Sequence, residues 1–357
     1  MRDIKYIGLD VHRASISIAV LNAAGKLIME ATVENQAAAL MDFMQGWKGA
    51  LQVTLEEGTQ AEWIYGLLAP RVSEIIVCDP RRNPRRPGEK KSDRLDARKL
   101  AEWLRLGVLK PVYHGHPAGS ALRELARSYS TLVSDSTRVM SRLKALYRGR
   151  GIGCAGTRVY SRRCRSQWLE QLREPGARRR AELLYQQLDA LREWRQQARA
   201  ALLQESSRHA AQKILRSVPS LGPVRAALLM AWLRTPYRFR GKRQLWAYAG
   251  LALVTRSSAD YQVVKGELVP SRRSALILGL NANHNHPVKA LFKDAAASAL
   301  AHPGPLREFY EQRIAQGMKP DLARLTLARK IAAITLNLWK KGERFNAAYL
   351  NPQAAGA

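Results

Sequence analysis

The sequence predicts an α/β N-terminal domain on a mixed sheet with packed helices, then a helical coiled-coil middle, then a mostly α C-terminal part. Three observations lead there. Three short apolar runs separated by tight turns open the chain. After them, segments of helical and strand period alternate up to about residue 112. From about residue 113 the periodicity is helical and strongly basic. The expected divisions are 1–112, 113–208, 209–350 and a disordered tail at 351–357.

Bulk charge narrows the partner. In 357 residues, Lys and Arg number 59 against 29 Asp and Glu, a formal charge of +30 and a pI near 10.7. Self-repulsion on that scale sets aside an ordinary small-molecule enzyme and calls for a polyanion, with nucleic acid ahead of an anionic membrane surface. No apolar run approaches the roughly 18 residues of a membrane span. The opening MRDIKYIGLD enters a strand pattern directly, without a signal-peptide apolar region. A cytoplasmic, nucleoid-associated protein is expected. Cys78, Cys154 and Cys164 show no CxxC spacing, which argues against both a zinc site and a disulfide framework.

Taken in order, IKYIGLD (4–10) reads as a strand in which Gly8 permits close approach of another group. Val11 to Ala14 turn the chain into SISIAVLN, and Ala23–Gly25 turn it into KLIMEATVE, so the first three strands form an antiparallel meander. A helix (QAAALMDFMQGW), the strand LQVTLEE, a helix around AEWIYGLLAPRV and the buried strand SEIIVCD follow. In KKSDRLDARKLAEWLR, Ala97, Leu100, Ala101 and Leu104 mark one apolar helical face.

Four acids stand at element ends. Asp10 closes the first strand, Glu56 closes the fourth with Glu57 beside it, and Asp93 and Asp96 open the helix. If the first and fourth strands are neighbours, Asp10 and Glu56 meet at one edge. Carboxylates three apart on a helix lie about 5–6 Å apart at Cβ, close enough to hold one divalent cation. The same pair also reads as capping, with Asp93 as N-cap and Asp96 complementing the helix dipole. Acids held together repel unless a cation compensates, and oxygen ligands suit Mg²⁺ or Mn²⁺. Between strand and helix, PRRNPRRPGEKKS carries Arg81, Arg82, Arg85, Arg86, Lys90 and Lys91. Such a loop can be a solvated connector; beside a carboxylate crevice it is expected to grip a phosphate backbone without reading bases.

The order GLD, LEEG, SDRLDARKLAEW resembles the DEDD insertion-sequence transposases, most specifically in its D-x-x-D-A-R-x-L-A-E block. That resemblance implies an N-terminal domain with the fold of the RuvC resolvase (RNase H-like), with Asp10, Glu56, Asp93 and Asp96 in the four catalytic, metal-holding positions. It also implies DNA as donor and target, a structured noncoding guide RNA, and a homodimer or tetramer.

Beyond it, residues 113–149 are helical and basic, and 150–178 give no clear element. Residues 179–208 form a long helix with Leu184, Leu188, Leu191, Ala198 and Leu202 at 4,3 spacing, interrupted by Arg195. This suits either a coiled-coil dimer arm or a bundle helix. ILRSVPSLGPVRAALLMAWL reads as helix, turn, helix: either a phosphate-binding hairpin or a plain turn. Trp246 and Tyr248 can stack on bases or pack. His284 and His286, in NANHNHP, read as loop histidines near phosphate rather than metal ligands. KGELVPSRRS and RLTLARK are basic patches, and IAAITLNLW is a last apolar helix. WAYAGLALVTRSS extends the resemblance: the family's serine falls at Ser258, with Ser257 adjacent, although Ala259, Asp260 and Tyr261 depart from its usual surroundings. By that resemblance Ser258 is the nucleophile of a metal-assisted DNA recombinase. The competing readings are a resolvase-like nuclease using water and a noncatalytic nucleic-acid-binding protein.

Overall fold

Alternation along the first strand decides which side of the sheet each residue serves, because successive side chains point to opposite faces. In the computed structural model, which describes residues 3–81, 83, 92–114, 120–256, 261–264, 267–270 and 276–350, strand β1 is Ile4–Val11. It pairs antiparallel with β2 (Ser15–Leu21), and β2 pairs with β3 (Leu27–Glu34), giving the expected meander. On its other side β1 pairs in parallel with β4 (Ala50–Glu56), which pairs in parallel with β5 (Glu74–Cys78). The order β3-β2-β1-β4-β5 makes a mixed sheet, and it places the first and fourth strands side by side.

Ile7 and Leu9 of β1, Val53 and Leu55 of β4 and Val77 of β5 face one core with helices α1 (Ala37–Gln45) and α2 (Ala61–Leu68). The intervening residues face helix α3 (Asp93–Arg105), whose Leu100 and Leu104 pack with Cys78, Tyr6 and Ile76. Ala97, Leu100, Ala101 and Leu104 are its buried residues, the face read from the sequence. Gly8 makes this contact possible: a Cβ there would meet the Ala97 carbonyl oxygen and lie 2.6 Å from Ala101 N. Any side chain at position 8 would push α3 off the sheet.

The chain divides into two compact units, residues 1–118 and 119–357. In the second, α4 (Ser120–Arg148) and α6 (Pro175–Ser207) form an antiparallel pair within the chain. Leu143, Leu146 and Tyr147 pack with Ala181, Tyr185, Leu188 and Leu191, and Leu122 and Ala126 cluster with Leu202 at the other end. The seam expected of a coiled coil is thus used inside one chain at Leu188, Leu191 and Leu202. Residues 150–178, unassigned from sequence, hold two 3₁₀ turns and α5 (Arg165–Glu170). Asp189 of α6 ties this segment down, with Arg165 Nη2 at 2.8 Å and Arg162 Nε at 3.1 Å, and also pairs along its own helix with Arg192 Nη1 at 3.3 Å.

Helices α7 (Ala210–Leu215) and α8 (Pro223–Leu233) form the expected helix, turn, helix, with Pro223 at the first helical position. Next come α9 (Lys242–Tyr248) and four short strands, β6 (Leu253–Arg256), β7 (Tyr261–Val264), β8 (Glu267–Pro270) and β9 (Leu276–Leu280). The strands pair as β6–β9 and β7–β8 and were not anticipated; four or five residues carry too little period to declare themselves. Helices α10 (His286–Leu300), α11 (Pro305–Ala315) and α12 (Pro320–Lys341) complete the unit around a core that includes Phe292, Phe309 and Ile331. Among the described residues no helix is long and apolar enough to cross a membrane.

Candidate acidic site at the sheet edge

Asp10 lies on the α3 face of β1, one residue past the last registered β1–β4 pair, Leu9 with Leu55. Continuing that register brings Glu56 alongside it, on the same face by the period of two. The sequence SDRLD then sets the N-terminus of α3 over this corner. Ser92 is its N-cap, in extended conformation, with Oγ accepting from Leu95 N at 3.4 Å. Asp93 is therefore the first helical residue and not the cap, which corrects the capping alternative in its simplest form.

Asp10, His12 and Asp93 come together: one ligand atom from each lies within 4.8 Å of the others. His12 Nε2 is 3.0 Å from Asp10 Oδ2 and 3.4 Å from Asp93 Oδ1. Asp10 is 21% exposed and Asp93 63%, so the strand-end acid is the more enclosed of the two. Burial pushes the Asp10 carboxyl above its ordinary value; His12 works against this, while the charges of Asp96 and Asp93 add to it. The hydrogen bond to Asp10 raises the His12 imidazole in turn. Asn35 braces the turn, donating to the His12 carbonyl and to Gln60 Oε1, each at 2.6 Å.

The other two acids sit nearby with partners of their own. Asp96 faces Lys99, Nζ to Oδ1 3.8 Å, while still acting on Asp10 through its charge. Glu56 accepts from Nδ2 of the buried Asn83 at 2.8 Å, and the Asn83 amide oxygen has no hydrogen-bond partner. Glu57 turns away from Glu56 to His114 Nε2 at 2.5 Å. The set is two carboxylates and an imidazole, with a third carboxylate close by and an orphaned amide oxygen beside Glu56. Oxygen-rich donors gathered around Asp10, whose carboxyl is raised by burial and by its acidic neighbours, fit a hard divalent cation, whose charge would remove the repulsion.

His12 was missed in the sequence. The signal was there: two residues after a strand-end acid, the period of two points a side chain to the same face. Of the loop cations, Arg81 is exposed, and its backbone N–H donates to Asp79 Oδ1 at 3.0 Å. Arg82, Arg85, Arg86, Lys90 and Lys91 lie outside the described residues, as do Ser257, Ser258 and the tail 351–357. His284 and His286 lie 4.3 Å apart between ring centroids with their planes tilted by 54°, and His286 opens α10 instead of standing in a loop. Among the described residues they form no three-ligand group.

The chain is similar to known proteins in both units. A family model of DEDD transposases of the IS110 kind, described as transposase, matches residues 7–149. A second, described as transposase of the IS116/IS110/IS902 family, matches residues 212–311. A protein of Sinorhizobium fredii named as the transposase y4qE is 25% identical over 261 residues, covering 71% of this chain and 65% of its own. A 44.8 kDa protein of insertion element IS116 from Streptomyces clavuligerus is 29% identical over 118 residues, 33% of this chain and 26% of its own. The chain thus spans less than two-thirds of the length of either relative. With two models of the same family matching in order, the first across the boundary between the units and the second within the second unit, the chain belongs to the IS110 family of insertion-sequence transposases.

Proposed function

We infer that the protein is a DNA recombinase that cuts and rejoins strands at the ends of an insertion element, working on nucleoid DNA in the cytoplasm. One observation carries this: Asp10 and Asp93, distant in sequence, meet at His12 where the C-terminal ends of two parallel strands face a helix N-terminus. The strand order β3-β2-β1-β4-β5 supports a RuvC-like domain, and the orientation of Glu56 toward Asn83 supports Glu56 over Glu57 as the second acid. Asp10, Glu56, Asp93 and Asp96 would hold Mg²⁺ or Mn²⁺, which supplies charge neutralisation at a scissile phosphate. Asp10, the more enclosed acid, fixes the position of the group it binds, and Asn35 holds the His12 turn beside it.

In this reading Ser258 Oγ attacks phosphorus, forming a phosphoserine ester as the P–O bond to the departing strand breaks. The serine proton leaves with that strand's new hydroxyl. Reversal by a different strand's hydroxyl restores the serine and a phosphodiester, so no high-energy cofactor is consumed. A noncoding RNA from the element guides the choice of donor and target. The excess of 59 basic over 29 acidic residues suits a protein carrying RNA as well as DNA. A dimer or tetramer brings two duplexes together; Leu183 and Trp194, 50% and 54% exposed and three turns apart on α6, are suited to that contact.

The test is a denaturant-resistant protein–DNA adduct on element-end DNA with the flanking RNA and Mg²⁺. The adduct is expected from the parent chain and lost in Ser258→Ala. Strand cleavage unchanged in both Ser258→Ala and Ser257→Ala would replace this mechanism by attack of water.

A further inference from the structure

Far along the chain from the acids, the second unit holds a cleft of about 630 Å³ between α9, α11 and α12. Its walls carry Arg240, Lys242, Arg329, Lys330 and Lys340, and no carboxylate lines it. Among the described residues none of these five has an acidic partner within ion-pair distance. Three aromatic side chains, Trp246, Phe309 and Tyr349, complete the lining. A second hollow of about 620 Å³, bounded by Arg240 to Gln244, continues the surface past Lys242 and adds Arg243.

Two of these cations, Arg329 and Lys340, are held in place by backbone carbonyls, while Arg240 and Lys242 stand exposed at the mouth. Arg329 Nε donates to the Leu251 carbonyl at 2.6 Å, and Lys340 Nζ donates to the Phe239 carbonyl at 2.5 Å. Trp246 is fixed by its indole N–H, which donates to the Arg329 carbonyl at 2.9 Å, and Lys242 Nζ stands 5.9 Å from its ring centroid. Burial pushes both the Arg329 guanidinium and the Lys330 ammonium below their ordinary values, and Lys242 and Arg313 press the lysine down further. Gathering like charges around the partly buried Arg329 and Lys330 without an anion costs stability, so their place in the fold calls for a ligand that supplies the anion. Phosphate alone explains the charge but leaves the aromatic walls unused. A phosphate joined to an unstacked base uses both.

We propose that this cleft binds a single-stranded segment of nucleic acid, seating one or more backbone phosphates on Arg329, Lys330 and Lys242 with an unpaired base against Trp246. The volume lies within the roughly 300–1,000 Å³ that takes small ligands and nucleotide-sized groups. A duplex keeps its bases stacked inside and presents no such group. The segment comes either from RNA or from a DNA strand freed during exchange; the chemistry of the cleft is common to both. The inference rests on the reading of the chain as a nucleic-acid enzyme, and it locates a second contact surface outside the acidic site.

The experiment is anisotropy binding of the full chain, with EDTA present so that no cleavage intervenes, to labelled 12-mers of single-stranded RNA, single-stranded DNA and duplex DNA. Single strands should bind more tightly than duplex, and the stronger of the two single-stranded arms names the source. Lys242→Gln with Lys330→Gln should weaken single-strand binding about tenfold at 100 mM salt. It should also reduce the slope of log affinity against log salt by about 1.4, two contacts at about 0.7 each. The same variant should melt no lower than the parent, because it removes repulsion. A 5-iodouracil strand should photo-crosslink to the peptide holding Trp246 or Tyr349. An unchanged slope with crosslinks elsewhere overturns the proposal and leaves the recombinase reading intact. Equal competition by polyglutamate of matched charge also overturns it, in favour of a general polyanion surface. Failure of the parent chain to bind any nucleic acid overturns both.

Discussion

His12 Nε2 lies 3.0 Å from Asp10 Oδ2, so an imidazole occupies the middle of a carboxylate pair. Its hydrogen bond to Asp10 raises the His12 value, and a raised basic group stabilises the fold below its unfolded pKa, about 6.5. That contribution is lost as pH rises through the raised folded value. In EDTA, the parent should therefore lose more melting temperature between pH 6 and pH 9 than His12→Asn does. Parallel Tm curves for the two proteins would remove His12 from the electrostatics of the site.

Ser92 and Asp93 separate capping from ligation. Ser92→Ala removes the side-chain acceptor for Leu95 N and should cost about 1 kcal/mol while leaving adduct formation in place. Asp93→Asn should change stability by less than about 1 kcal/mol yet abolish the adduct. Thermal melts beside denaturing gels of the two variants check this pair, and the reverse pattern would make the acid a structural element only.

Gly8→Ala tests the seat of α3. The new Cβ would meet Ala97 and Ala101 backbone atoms, so a loss of about 1–3 kcal/mol is expected in chemical denaturation. Because α3 carries Asp93, activity should fall further than stability, by about 100-fold for an ångström of displacement. A rate loss no larger than the loss of folded protein would show that the site tolerates the shift.

Asp189 anchors the segment before α6. Burial alone would raise its carboxyl, but hydrogen bonds from Arg165 and Arg162 outweigh that and hold it below the ordinary value. A depressed acid contributes stability above its unfolded pKa of about 4 and loses it as pH falls through the folded value. Asp189→Asn should cost about 1–2 kcal/mol at pH 7, with the gap to the parent closing in acid. A gap that stays constant down to pH 2 would assign the loss to packing.

The α6 surface predicts association. Trp194→Asp places a charge on an exposed apolar side chain outside the α4 contact, so folding should be untouched while sedimentation shows a shift toward monomer. An unchanged sedimentation coefficient would exclude this face as the contact.

Much of the first unit was legible in the sequence because its signals are local. The turns at Val11–Ala14 and Ala23–Gly25 fixed the meander, and the spacing of Ala97, Leu100, Ala101 and Leu104 fixed the buried face of α3. Gly8 as a place of close approach followed from a glycine inside a strand. What stayed hidden depended on partners far away in sequence. The α6 seam looked the same whether its partner was another chain or α4, since heptad spacing names a face and not its occupant. His12 was read only as part of a turn, and the cations of RLTLARK only as a patch, because neither periodicity nor composition shows that Arg329 and Lys330 share a cleft with Lys242.

The parallel pairing of β1 with β4 has one more outcome. Synthesis from the N-terminus makes the antiparallel meander first, but Asp10 gains its neighbour Glu56 only after β4, and Asp93 only once α3 has left the ribosome. A nascent chain that ends before α3 thus carries a sheet with an incomplete acid set. In the proposed reading, the cutting site is completed only after the sheet that carries it has been made.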